Sequence, residues 1–144
     1  MRLLLAIVIG FAAAPAAGWE FSPSPVCTLT HQGAGAALRI TRDPQRSEPY
    51  ELTITREAGW AASPAFGIQF DGPRGLTIAT DRHRLSTDRQ RLTVTDRGFG
   101  NVLDGLEFND RATAMAGPDA VPFDLDGAAG PVRAFRDCGE APLS

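Results

Sequence analysis

The chain contains two cysteines, Cys27 and Cys138, and most of its length beyond the N-terminal leader lies between them. In an oxidising compartment such a pair is most simply a structural disulfide. A bond there would clasp the two ends of the folded region and hold the intervening chain as one closed unit. On the chain-entropy account a loop of roughly 100 residues gains about 4.7 kcal/mol from closure, an upper figure because native strain and residual structure reduce it. A reactive thiol or a metal ligand is the alternative reading. Neither cysteine, however, has a second cysteine or a closely spaced histidine pair nearby, as metal sites require.

The compartment is read from the first eighteen residues. Met1-Arg2 is followed by the apolar run Leu3 to Ala14 and by the small-residue exit Pro15-Ala16-Ala17-Gly18, the pattern of a secretory signal peptide. Cleavage after Gly18 places Ala16 and Gly18 at the two positions a signal peptidase reads, and cleavage after Ala16 fits almost as well. The apolar run is shorter than the about 20 residues that span a bilayer, and the rest of the sequence has no longer one. Residues 1–18 therefore read as a signal peptide. Residues 19–144 read as one exported domain, periplasmic or secreted, able to bury about two-thirds of its unfolded surface.

Loss of Arg2 with the leader leaves 13 arginines against 17 carboxylates, a net charge of about −4. Such mild acidity speaks against a nucleic-acid binder, whose domain is usually strongly basic. The chain has no lysine, which excludes Schiff-base lysine chemistry and the lysine of a phosphate loop.

Between the cysteines the dominant period is two. Trp19 to Pro25 is an extended lead-in, because each proline disfavours helical geometry in the residue before it. Val26 to His31 and Ala37 to Arg42 read as strands joined through Gly33 and Gly35. Three segments then echo one another: Leu52-Thr53-Ile54-Thr55, Leu76-Thr77-Ile78-Ala79-Thr80 and Leu92-Thr93-Val94-Thr95. Each alternates apolar residues with polar or small ones, as a strand with one buried and one wet face does. A threonine face can meet a ligand, but cross-strand threonine pairs on a solvated sheet are the simpler reading. Phe66 to Phe70 is a further alternating strand, ended by the turn Asp71-Gly72-Pro73-Arg74-Gly75. Asp81 to Arg91 reads as a polar hairpin region.

After Gly98 the spacing changes. Phe99, Val102, Leu103 and Leu106 fall at helical intervals, so Asn101 to Leu106 reads as a short helix, against which Gly105 counts. Arg111 to Ala116 and Val121 to Leu125 flank Gly117-Pro118-Asp119 as a hairpin. Val121, Phe123 and Leu125 lie on one face, and Pro122 suits an edge strand. A final helix is expected from Gly127 or Ala128, with Asp126 as cap, Pro131 in its first turn, Val132 and Phe135 on its buried face, and Gly139 at its end.

Few residues carry a chemical signal. Serine-nucleophile elbows, zinc signatures and phosphate loops are absent, and His31 and His83 each stand alone. Asp124-x-Asp126-Gly127 resembles the start of a calcium loop, but Ala128, Ala129 and Phe135 stand where ligands are needed. No metal or cofactor is expected. Asp81 and Asp96, both at strand ends, would face each other if their strands were neighbours, as the carboxylates of a glycosidase-like hydrolase do. Arg82, Arg84, Arg89 and Arg91 are the densest charge in the chain. They read either as a solvated hairpin or as a patch for an anionic partner.

The run Val102-Leu103-Asp104-Gly105-Leu106, the hairpin, Phe123-Asp124-Leu125-Asp126-Gly127 and the helix to Cys138 resemble the C-terminal part of the invasion-associated locus B family of small exported bacterial proteins. That resemblance implies a β-rich periplasmic or surface-associated domain without assigned catalytic residues. The chain is also similar to a set of small uncharacterised exported bacterial proteins that sometimes carry the label of an excinuclease component. A helicase-like repair protein needs a phosphate-loop lysine and a cytoplasmic address, whereas this chain has no lysine and carries an export signal.

The expected fold is mainly β: a single-domain antiparallel sandwich or partly open barrel of about seven or eight short strands, with one short internal helix and a C-terminal helix. The expected function is a non-enzymatic binding or structural module of the cell envelope. Its partner would be another envelope component or an anionic surface. The alternative is a small envelope hydrolase built on an acid pair such as Asp81 and Asp96.

Overall fold

The computed structural model describes residue 10 and residues 18–138. The signal segment, apart from Gly10 and Gly18, lies outside these residues, as does Gly139, the expected end of the last helix. Ten strands and two helices occupy the described residues: β1 (Gly18–Ser22), β2 (Cys27–Gln32), β3 (Ala36–Arg42), β4 (Tyr50–Arg56), β5 (Phe66–Asp71), β6 (Leu76–Thr80), β7 (Arg84–Leu85), β8 (Arg91–Asp96), α1 (Gly100–Phe108), β9 (Arg111–Ala116), β10 (Asp119–Asp124) and α2 (Ala129–Asp137). The strands form two antiparallel sheets, ordered β1-β2-β3-β4-β8-β7 and β10-β9-β5-β6, stacked as a sandwich that does not close into a barrel.

The two strands beyond the expected number have simple origins. The lead-in at Trp19 pairs with β2 and becomes the edge strand β1, because Trp19 and Phe21 can reach the core from there. The region Asp81 to Arg91 does not join neighbouring strands. It crosses from β6 in one sheet to β8 in the other and lays down the two-residue β7 on the way, pairing Arg84 with Thr93 and Leu85 with Leu92.

Alternation places one continuous row of inward side chains across the larger sheet: Trp19, His31, Leu38, Ile54, Leu92 and Leu85. The outward row beside it runs Glu20, Thr30, Arg39, Thr53, Thr93 and Arg84. Thr53 and Thr93 thus form the expected cross-strand pair on a wet face. In the smaller sheet the centre is built from small residues. Ala112, Ala114 and Ala116 of β9 are buried between the larger Phe70, Ile68 and Phe66 of β5 and the Phe123 and Val121 of β10. Arg56 of β4 ties the sheets together by reaching Asp119 of β10 at 3.3 Å. The Asp119 carboxyl is held below the usual carboxylate range, first by the Ala61 N–H and then by Arg56.

Both helices close the sandwich. The buried Asn109 ends α1: its side-chain nitrogen donates to the carbonyls of Gly105 and Arg74, and its oxygen accepts the Arg74 N–H. The last helix starts at Ala129, and Asp126 does not cap it. Gly127, at φ 77°, turns the chain through a left-handed conformation first, so the Asp126 N–H folds back onto the Asp124 carboxylate instead. Pro131 falls in the first turn, and α2 buries Val132 and Phe135 completely. Cys138 then bonds to Cys27 at the start of β2, with their Cα atoms 6.1 Å apart. Arg136 fastens α2 to α1 through Asp104 and Glu107.

Candidate functional site

The four arginines occupy three settings. Arg82 reaches Asp96 at 3.0 Å and Glu48 at 3.5 Å, so two carboxylates offset its charge. Arg84 and Arg91 lie on the outer face of β7 and β8, both exposed. Arg89 belongs to the tight turn before β8, at φ 61°, where its carbonyl accepts the Trp60 N–H. The Ser86 hydroxyl and then the Gln90 N–H hold the carboxyl of Asp88 in that turn below its ordinary range. Asp81 follows β6 and Asp96 ends β8, strands of different sheets, since β6 pairs only with β5. The condition under which the two would face each other, neighbouring strands, is therefore not met, and the Asp96 carboxylate is engaged by Arg82.

Two of the concavities bring together buried core side chains and polar groups. The first opens between the sheets where β6 and β8 diverge without pairing, and α1 begins over its mouth. Its volume is about 530 Å³, and Leu52, Phe66, Ile68, Ile78, Val94 and Phe99 supply most of its wall. Thr80, Asp96 and Asn101 are polar groups of the lining, and the Arg82–Asp96 pair stands beside them. Ile78 is only half-buried although it faces inward, since no further strand covers the edge of β6.

The second is a groove of about 1270 Å³, lined by both polar and apolar surface, where the edge strands β1 and β10 meet, on the other side of the sandwich. Its wall includes His31, Asp71, Asp110, Arg111, Asp124 and Asp126. Trp19 bridges the edges by donating its indole N–H to the Asp124 carbonyl at 2.9 Å, and its ring stacks on His31 at 4.4 Å. His31 is 7% exposed, with Phe123 edge-on at 5.7 Å. Burial lowers its pKa below the ordinary 6.5, and the Gly18 backbone and the Asp124 carboxylate pull the other way. His83 is placed differently, with Nε2 3.0 Å from the Ser63 carbonyl.

This burial predicts a pH dependence. The unfolded chain binds the His31 proton more readily than the folded one, so this contribution to stability is complete above about pH 6.5 and is lost as pH falls towards the folded value. In urea unfolding from pH 8 to pH 5, the wild-type midpoint is expected to drop from about pH 6.5 downward, and His31→Leu to flatten that drop. Parallel curves for the two proteins would refute it.

Neither concavity was legible as such. The inward phase of His31, two residues after the apolar Leu29, was the available signal for the groove. The pocket had none, because it depends on which strands stay unpaired. Among the described residues no group of three or more histidine, cysteine, aspartate or glutamate side chains is placed to hold a metal ion, and no helix is long and apolar enough to cross a membrane. Comparison with protein-family models, with curated proteins and with solved structures finds no match.

Proposed function

We propose that the protein is a non-enzymatic binding module of the bacterial cell envelope, exported to the periplasm or beyond, which receives the acyl chain of an anionic amphiphile in the pocket between its sheets. The observation that carries this reading is the pocket itself. A concavity of about 530 Å³ with a mostly apolar wall and a few polar groups matches small-molecule sites, which span roughly 300–1,000 Å³. Arg82 stands beside it, where it can exchange a carboxylate partner for a charged headgroup, and Arg84 follows on the same crossing segment. The disulfide supports an oxidising compartment. The resemblance of the C-terminal part to exported envelope proteins points the same way. The hydrolase alternative rests on Asp81 and Asp96, which neighbouring strands do not bring face to face, and no specific observation favours it.

Ile78→Trp tests the reading, because Ile78 lines the pocket and is half-buried, so a larger side chain there can enter it. Titration with the fluorescent fatty acid cis-parinaric acid is expected to show saturable binding to the wild type and at least about tenfold weaker binding to the variant, a difference of about 1.4 kcal/mol or more. Far-UV circular dichroism checks that the fold is kept. Equal affinity for both proteins would remove the pocket as the site.

A further inference from the structure

We propose that the groove between β1 and β10 binds an organic cation, a guanidinium or primary ammonium group, with His31 accepting an N–H from it and the surrounding aspartates supplying the counter-charge. This inference is independent of the inter-sheet pocket.

The first observation is His31 itself. It occupies a core position, in register with the buried Trp19 on one side and Leu38 on the other, where an apolar residue would pack without any polar requirement. Its Nδ1 is buried and has no hydrogen bond of good geometry among the described residues, the Gly18 backbone standing only close enough to the ring to favour its charged form. Buried polar groups are almost always satisfied, so an orphan ring nitrogen at the wall of a groove calls for a partner from outside. Burial keeps the ring neutral, and a neutral imidazole has one nitrogen free to accept.

The second observation is the charge around it. Asp71, Asp110, Asp124 and Asp126 line the groove, and none of them takes part in an ion pair among the described residues. Arg111, opposite both Asp71 and Asp124 in the strand register, is the one cationic side chain in the wall. The Asp71 carboxylate accepts from Gln69, and that of Asp124 from the Asp126 backbone, which leaves acceptor capacity on each. These carboxylates come from the end of β5, the link between α1 and β9, the end of β10 and the loop after it. No three of them converge as ligands of a point cation. A planar guanidinium with five donors, or an ammonium on a flexible stem, can meet acceptors spread in this way.

Isothermal titration at low ionic strength decides it, with agmatine as a small cation and an N-acetylated Arg-Lys-Arg amide as a peptide cation. Saturable binding of either is expected, and which of the two binds tells a free amine from a side chain of a basic partner. Asp124→Asn with Asp126→Asn is expected to weaken binding at least about tenfold. His31→Leu is expected to weaken it at least about fivefold while keeping the fold, since leucine suits the core position. Glu57→Gln with Asp81→Asn, remote from the groove, is expected to change affinity less than about twofold. The proposal is overturned if neither probe binds, if the remote pair weakens binding as much as the groove pair, or if calcium alone binds more tightly than both probes and is lost with the groove pair.

Discussion

Replacing Cys27 and Cys138 together by serine is expected to lower the stability of the protein by about 2–5 kcal/mol. The bridge joins residues 111 apart in sequence, so its removal releases the unfolded chain from one of the longest loops it can have. It also frees the end of α2, which the native state then holds through packing, chiefly the burial of Val132 and Phe135, and through the contacts of Arg136 with Asp104 and Glu107. Because α2 packs on β1 and β2 as well as on α1, the loosened helix exposes the edge of the larger sheet. Urea unfolding of the two proteins under matched conditions measures the difference. A loss below about 0.5 kcal/mol would show that the clasp contributes little beyond what packing already holds.

Gly105→Ala is expected to destabilise the protein by about 1–3 kcal/mol, although alanine is the better helix former by roughly 1 kcal/mol. The sign is decided by Phe70. A Cβ at position 105 would overlap the Phe70 ring, which is itself 1% exposed and packed in the middle of the smaller sheet. The ring cannot swing into solvent, so α1 must lift from β5 or Phe70 must leave its rotamer. Gly130→Ala in the other helix is the matched control, since nothing lies within 4 Å of its added methyl group, and it should be neutral or stabilising. Thermal unfolding of both variants reads the result. If Gly105→Ala melts at or above the wild-type temperature, the close approach of α1 to Phe70 is not what the glycine serves.

The same glycine shows where sequence reading met its limit. Within the helical pattern from Phe99 to Leu106, Gly105 counts as a weakness, because local propensity sees only the lost side chain. The structure turns it into a contact surface, for a reason located on β5, more than thirty positions earlier in the chain. His31 is a parallel case. Read alone it has no partner in sequence, and its significance comes from Trp19, Phe123 and Asp124, which strands distant in sequence bring to it. Asp126 failed as a cap for a local reason instead: one left-handed residue, Gly127, delayed the helix to Ala129.

What the amino-acid sequence determined by itself was the set of elements and their faces. Alternation depends on neighbouring residues alone, so the β character, the β9–β10 hairpin, the inward side of Val121, Phe123 and Leu125, and the buried stripe of α2 could all be read directly. Two cysteines leave one possible intramolecular pairing, which made the bond between Cys27 and Cys138 legible as well. Only the tertiary structure decided how the strands divide between two sheets. That division put β6, which ends before Asp81, and β8, which ends at Asp96, in different sheets, left these two strands not paired with each other around an apolar pocket, and set β1 beside β10 around His31. Strand partnership is a sum over contacts distant in sequence, and three near-identical alternating segments offer the same local pattern to every partner.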